Sequence, residues 1–140
     1  MGVNPDPSKF SFHIGKGLAD TGVGSETDIL DAVRSCKEAG AKVISMSLGS
    51  DCPGPEENCR ISEAYAATMQ DAYDAGILVI AAAGNVGGDN LSSPARFTTV
   101  MSVAAVRSTR EWWLAREGEG FASGVGSSTS SQTEIAAPGV

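Results

Sequence analysis

Gly76-Ile77-Leu78-Val79-Ile80-Ala81-Ala82-Ala83-Gly84-Asn85 is the stretch on which the fold of this chain turns. The apolar run from Ile77 to Ala82 suits a strand covered on both faces, as in parallel sheets. It narrows into alanine and glycine and then delivers the amide of Asn85 at its carboxyl end. Open parallel sheets keep their ligand crevices at that end of the strands. Small residues let a ligand backbone lie against the strand, and an amide N–H there can hold a developing oxyanion.

The neighbouring segments extend the pattern. Ser62 to about Ala75 predicts a helix with Tyr65, Met69, Ala72 and Tyr73 facing inward, and Gly76 ends it. Lys42 to Leu48 predicts a strand. Before it, Ser25 can cap a helix running to about Ala39, with Glu26 and Asp28 favourable in its first turn. Ile29, Ala32, Val33, Cys36 and Ala39 recur at helical spacing, and Gly40 follows as a left-handed cap. Lys9-Phe10-Ser11-Phe12-His13-Ile14 alternates apolar and polar residues and predicts a strand. Gly15 to Gly24 is a loop.

Downstream, Val86 to Thr98 reads as a loop and Thr99 to Val106 as another strand. Thr109 to Ala115, with Trp112 and Trp113, suggests a hairpin arm. Gly118 to Ser131, rich in glycine and serine, reads as an irregular segment. The alternation of strands and helices predicts an α/β fold, a parallel sheet flanked by helices on both sides.

A chain of 140 residues is one domain or a piece of one. Its 17 acids against 10 bases give a net charge of −7, which argues against a nucleic-acid partner. No apolar run approaches the roughly 20 residues of a membrane helix, so no membrane partner is expected. Met1 to Pro7 lacks the basic start and apolar stretch of a signal peptide. Cys52 and Cys59 bracket an acidic, turn-rich loop and could close a short disulfide in an oxidising compartment. Cys36, on the expected inner face of its helix, reads as a free buried thiol. With one histidine and three cysteines, a zinc cluster is not expected.

Several motifs follow one another in a telling order. They are Gly2-Val3-Asn4-Pro5, Ser45-Met46-Ser47-Leu48-Gly49, Ala81-Ala82-Ala83-Gly84-Asn85, Ser93-Pro94, Val103-Ala104-Ala105-Val106 and Ala137-Pro138-Gly139-Val140. In order and approximate spacing the chain resembles the subtilisin-like serine proteases, the subtilases, over nearly its whole length. The resemblance implies a subtilisin-like sheet, incomplete at both ends, with residues 1–140 forming part of a peptidase catalytic domain. Cys52–Cys59 and Gly118–Ser131 would be irregular segments of it.

The resemblance also implies roles. Asn85 matches the oxyanion-hole asparagine, whose side-chain N–H would bind the oxygen of the tetrahedral intermediate. Ser47, Leu48 and Gly49 match the strand that pairs with an extended peptide through main-chain bonds. Ala82, Ala83 and Gly84 match a wall of the primary specificity pocket, with Ser92 near its base. Walls of alanine and glycine without charge suggest neutral, fairly large side chains in the substrate. Ser93-Pro94 matches a step that is cis in many subtilases. The loop around Ala95, Arg96 and Phe97 matches a region where some members bind a cation through carbonyl oxygens, so a structural calcium is an option in the complete enzyme. No cofactor is required.

The Asp/His/Ser triad is not matched. Asp20-Thr21-Gly22 spells the family's catalytic aspartate motif, but Gly15-Lys16-Gly17-Leu18-Ala19 before it is no buried strand. Asp20 therefore reads as a solvated loop residue. His13 precedes it, lacks a following glycine, and reads as structural. The nucleophile's Gly-Thr-Ser-like motif is absent, and serines from Ser123 to Ser131 have no positioned base. The expectation is a segment of a secreted serine endopeptidase, starting after the catalytic histidine region and stopping before the serine. Such a chain would be inactive alone. Its location would be extracellular and its partner an extended peptide or protein substrate.

Two other classes fit parts of the sequence. A subtilase-derived module without a triad could bind peptides and cleave none. Gly22-Val23-Gly24 before a helix hints at a nucleotide-binding turn, but the third glycine and the acid ending the next strand are missing.

Overall fold

The computed structural model describes residues 7–50, 62–114, 126–130 and 133–139. The chain forms two compact units, residues 1–41 and 42–140. Cys52 and Cys59, and most of Gly118–Ser131, lie outside the described residues.

In the first unit a 3-10 turn, Pro7–Lys9, leads into an irregular segment and then helix α1, Glu26–Glu38. The capping box forms as its chemistry requires. Ser25 Oγ accepts from the Asp28 N–H at 3.2 Å, and an Asp28 carboxylate oxygen accepts from the Ser25 N–H at 3.3 Å. Ala39 is the C-cap, and Gly40 follows with φ 80°. Ser25→Ala is expected to cost about 1 kcal/mol of helix stability. Faster hydrogen exchange at the Asp28 amide would register it, and unchanged exchange would contradict it.

The buried residues of α1 are Leu30 and Val33, whereas Ile29, Ala32 and Cys36 are half-buried and Ala39 is exposed. The inward face is therefore turned about one residue from the expected stripe, and the free Cys36 thiol is only partly covered. Lys9–Ile14 is not a strand. Phe12 and Ile14 are 83% and 84% exposed, and the segment beside them leans on a helix, which offers no ladder. His13 Nε2 lies 2.8 Å from Ser35 Oγ of α1. A Cβ on Gly15 would fall 2.8 Å from the Ala32 carbonyl oxygen, so only glycine follows Ile14 at this approach.

The second unit is a parallel sheet of four strands in the order β1-β2-β3-β4, with β1 Val43–Met46, β2 Leu78–Ala82, β3 Val100–Val106 and β4 Ile135–Pro138. Ile44 pairs with Val79, Val79 with Val100, and Val103 with Ile135. That register places Ile44, Met46, Val79, Ala81, Val100, Ser102 and Ala104 on one face, all of them buried. On the other face Val43, Ser45, Leu78 and Ala82 are exposed, while Ile80 and Met101 are half-buried. Burial along β2 thus alternates, although its sequence is apolar throughout.

Helix α2, Glu63–Asp74, joins β1 to β2 and packs on β2. Ser62 caps it, its side chain accepting from the Tyr65 N–H at 3.1 Å, and Gly76 follows its end with φ 72°. Tyr65, Thr68, Met69 and Ala72 are buried, but Tyr73 is 58% exposed. From Tyr65 the inward face runs i, i+3, i+4, i+7, so Thr68 takes the place expected of Tyr73.

No helix occurs between β2 and β3. Residues 83–99 connect them through a partly buried loop in which Leu91, Ser92, Pro94 and Ala95 are enclosed. After β3 the chain folds back as an arm. Arg107 N–H donates to Glu111 O at 2.8 Å and Trp113 N–H to Ala105 O at 3.0 Å. Strand β4, which the sequence does not predict, leads into the Ala-Pro-Gly step, and Gly139 just beyond it donates its N–H to Val106 O at 3.1 Å. Below it, the Glu134 carboxylate accepts from the Ser102 N–H at 2.6 Å.

Candidate active site

Within the second unit, the segments leaving the carboxyl ends of β1 and β2 meet across the loop that follows β2. Beyond Met46 the chain runs through exposed Ser47, half-buried Leu48 and exposed Gly49 to Ser50. There Ser50 N–H donates to Ser93 O at 3.0 Å and Ser93 N–H to Ser50 O at 3.1 Å. Beyond Ala82, the Ala83 N–H donates to Val103 O and its carbonyl accepts from Ser92 N–H, both at 2.9 Å. Ala83 is enclosed with Leu91 and Ala104. Its main chain and side chain therefore serve the sheet and core, leaving Ala82, Gly84 and Asn85 as the accessible part of this segment.

Ser92 stands between two glycines and is 1% exposed. A Cβ at Gly49 would lie 3.1 Å from both Ser92 Cβ and Ser93 O. At Gly84 it would collide with Ser92 Oγ, and Gly84 has φ 112°, which side chains rarely adopt. The Ser93–Pro94 bond is cis, as the resemblance implies. Ser47 to Gly49, Ala82 to Asn85 and Ser92 to Pro94 contain no charged residue. The surface they build is neutral.

Asn85 is exposed immediately beyond this contact. Its side chain makes no hydrogen bond among the described residues, so its amide is free to meet a ligand. Its main chain is held: the carbonyl accepts from Gly126 N–H at 3.1 Å, and the Gly84 carbonyl accepts from Ser128 N–H at 3.0 Å. The sequence reading missed Gly126, Ser127 and Ser128 as parts of the site. Ser128 is fully buried, and its hydroxyl has no partner among the described residues.

In the first unit, Asp20 is engaged by Lys16 Nζ at 2.6 Å, with its side chain 95% exposed. This is the solvated loop residue foreseen from the sequence. His13 is likewise exposed. Its 2.8 Å contact is with Ser35 in the last turn of α1, whose carbonyl accepts from the Ala39 N–H of the helix end. In the loop around Ala95, Arg96 and Phe97, Ala95 is buried and the Phe97 carbonyl accepts from the Val100 N–H at 2.9 Å. No three His, Cys, Asp or Glu side chains converge among the described residues.

Comparison with known proteins gives a consistent result. The model of the Subtilase family matches residues 10–140. The chain is 31% identical over 144 residues to Subtilisin DY of Bacillus licheniformis, across all of this chain and 44% of that protein. It is 36% identical over 124 residues to the halolysin-like extracellular serine protease Nep of Natrialba magadii, across 89% of this chain and 19% of that protein. The crystal structure of the psychrophilic subtilisin-like protease Apa1 from the Antarctic psychrotroph Pseudoalteromonas sp. AS-11 superposes with a TM-score of 0.62 at 32% identity. That match covers 89% of this chain and 24% of the other. A lanthipeptide protease reaches a TM-score of 0.68 at 22% identity over 89% of this chain and 37% of its own, a likeness of fold alone. The chain spans less than half the length of these curated relatives.

Proposed function

This chain belongs to the subtilase family, and from that premise we propose that it is a segment of a serine endopeptidase domain that holds extended peptides and stabilises the oxyanion of their hydrolysis. Asn85 donates its side-chain N–H to the scissile carbonyl oxygen as that oxygen gains charge. Ser47 to Gly49 pair with the substrate main chain ahead of the scissile bond. Ala82 and Gly84 form the adjoining wall, backed by the enclosed Ala83 and Ser92.

The observation that carries this reading is the exposed, uncommitted amide of Asn85 beside the closely packed Gly84–Ser92 contact. Walls of alanine and glycine without charge, backed by the buried Ser92, suit neutral, fairly large substrate side chains. No cofactor enters this chemistry. The working location is extracellular, as for the extracellular relative Nep.

Hydrolysis needs an activated nucleophile as well as an oxyanion donor. The sole histidine of the chain, His13, is engaged with Ser35, and Asp20 with Lys16. We therefore expect the 140-residue chain, assayed alone on casein and on peptide anilides, to show no turnover sensitive to serine-directed inhibitors. Inhibitor-sensitive cleavage would overturn that expectation. The flanking coding sequence supplies the complementary test: an upstream Asp and His-Gly motif and a downstream Gly-Thr-Ser motif are expected, and their absence would favour a peptide-binding module.

A further inference from the structure

We propose that the segment Gly126–Thr129 is a positioning clamp for the oxyanion donor, with Gly126 as its critical residue; the inference rests on the role proposed for Asn85. The loop that carries Asn85 is intrinsically soft. Gly84, Gly87 and Gly88 all take positive φ, at 112°, 68° and 63°. Glycines give such a loop its shape but allow many others, so its shape has to be held from outside. An oxyanion donor, in turn, works only when fixed at the place where charge develops.

Main-chain hydrogen bonds supply the fixation. Ser128 N–H donates to Gly84 O at 3.0 Å and Gly126 N–H to Asn85 O at 3.1 Å. Gly87 N–H donates to Gly126 O at 3.0 Å and Thr129 N–H to Gly88 O at 2.8 Å. The loop is thus bound on both sides of Asn85. The clamp is itself anchored to the sheet, because Ser127 Oγ accepts from the Ala105 N–H of β3 at 2.8 Å and Ser127 N–H donates to Trp113 O at 2.8 Å. Asn85 is thereby tied to β3 as well as to its own strand.

Gly126 leaves no room for a side chain. A Cβ there would lie 2.5 Å from Leu114 Cδ2 and 2.7 Å from the Trp113 carbonyl oxygen. The leucine tip can turn aside, but the carbonyl belongs to the arm that holds Ser127. Any side chain at 126 therefore pushes the clamp away from the arm and shifts the N–H that holds Asn85.

The test uses the complete protease containing this segment, with rates normalised by active-site titration. Gly126→Ala is expected to lower kcat about 10- to 100-fold with KM within about twofold, the size expected for a misplacement of about 1 Å. Ser127→Ala, which removes the anchor to Ala105, should shift kcat in the same direction by a smaller factor and carries the test if Gly126→Ala does not fold. In an Asn85→Ala background neither change should lower kcat further. Unchanged kcat in both single variants, or an equal loss in the Asn85→Ala background, overturns the clamp. An Asn85→Ala protease with undiminished kcat overturns the underlying oxyanion role instead.

Discussion

Asn85→Ala in the complete protease is expected to reduce kcat about 100- to 1000-fold, the loss known for removing one oxyanion donor in subtilisin. KM should stay within about twofold, because the donor's interaction strengthens as the carbonyl becomes an oxyanion and contributes little to the bound ground state. Folding stability should change by no more than about 0.5 kcal/mol, since Asn85 is exposed and its side chain bonds nothing among the described residues. Asn85→Asp, nearly the same shape but an acceptor at neutral pH, should be at least as inactive. Steady-state kinetics on titrated enzyme decide the matter. A rise in KM at constant kcat would mean that Asn85 only helps to bind substrate.

Gly84→Ala is expected to destabilise the second unit by about 2–5 kcal/mol, a large part of the 5–15 kcal/mol typical of a domain. Two costs combine. A side chain at φ 112° is strained by about 1–2 kcal/mol. The new methyl also enters the space of Ser92 Oγ, and rotating that hydroxyl aside still leaves Ser92 Cβ 3.0 Å away. Overpacking of that kind costs about 1–3 kcal/mol. The two can be separated by pairing Gly84→Ala with Ser92→Gly, which opens the space without relaxing the backbone. Urea titration of the single and double variants should recover the packing share and leave the backbone share. Full recovery in the double variant would show that the positive φ costs nothing.

What was legible in the sequence follows from how local its causes are. Ser25 and Ser62 mark helix starts, and Gly40 and Gly76 helix stops, because capping chemistry is completed within one turn. The strand at Lys9–Ile14 was misread because alternation shows only that a segment could pair, whereas a strand exists only when a partner lies beside it. Thr68 in place of Tyr73, and Leu30 in place of a residue on the expected stripe, reflect the choice of helix face, which the rest of the fold makes. In the site, Asn85, Gly84 and Ser92 were legible through their place in a family pattern. Gly126 and Ser128 were not. Their part is played by main-chain N–H groups, which every residue but proline possesses, and their neighbours in sequence are undistinguished serines and glycines.

The spatial order of the strands equals their order along the chain, and this bears on how the protein is made. As the polypeptide leaves the ribosome, each of these strands from β2 onward meets an edge already synthesised, so the described part of the sheet grows in one direction. Gly49, Gly84 and Ser92 are all present before Gly126 is translated. Until then the Asn85 loop lacks its outer main-chain bonds, so the loop is locked only late in synthesis. A nascent chain stalled short of residue 126 would carry Gly49, Gly84 and Ser92 beside an Asn85 loop that its outer main-chain bonds do not yet hold.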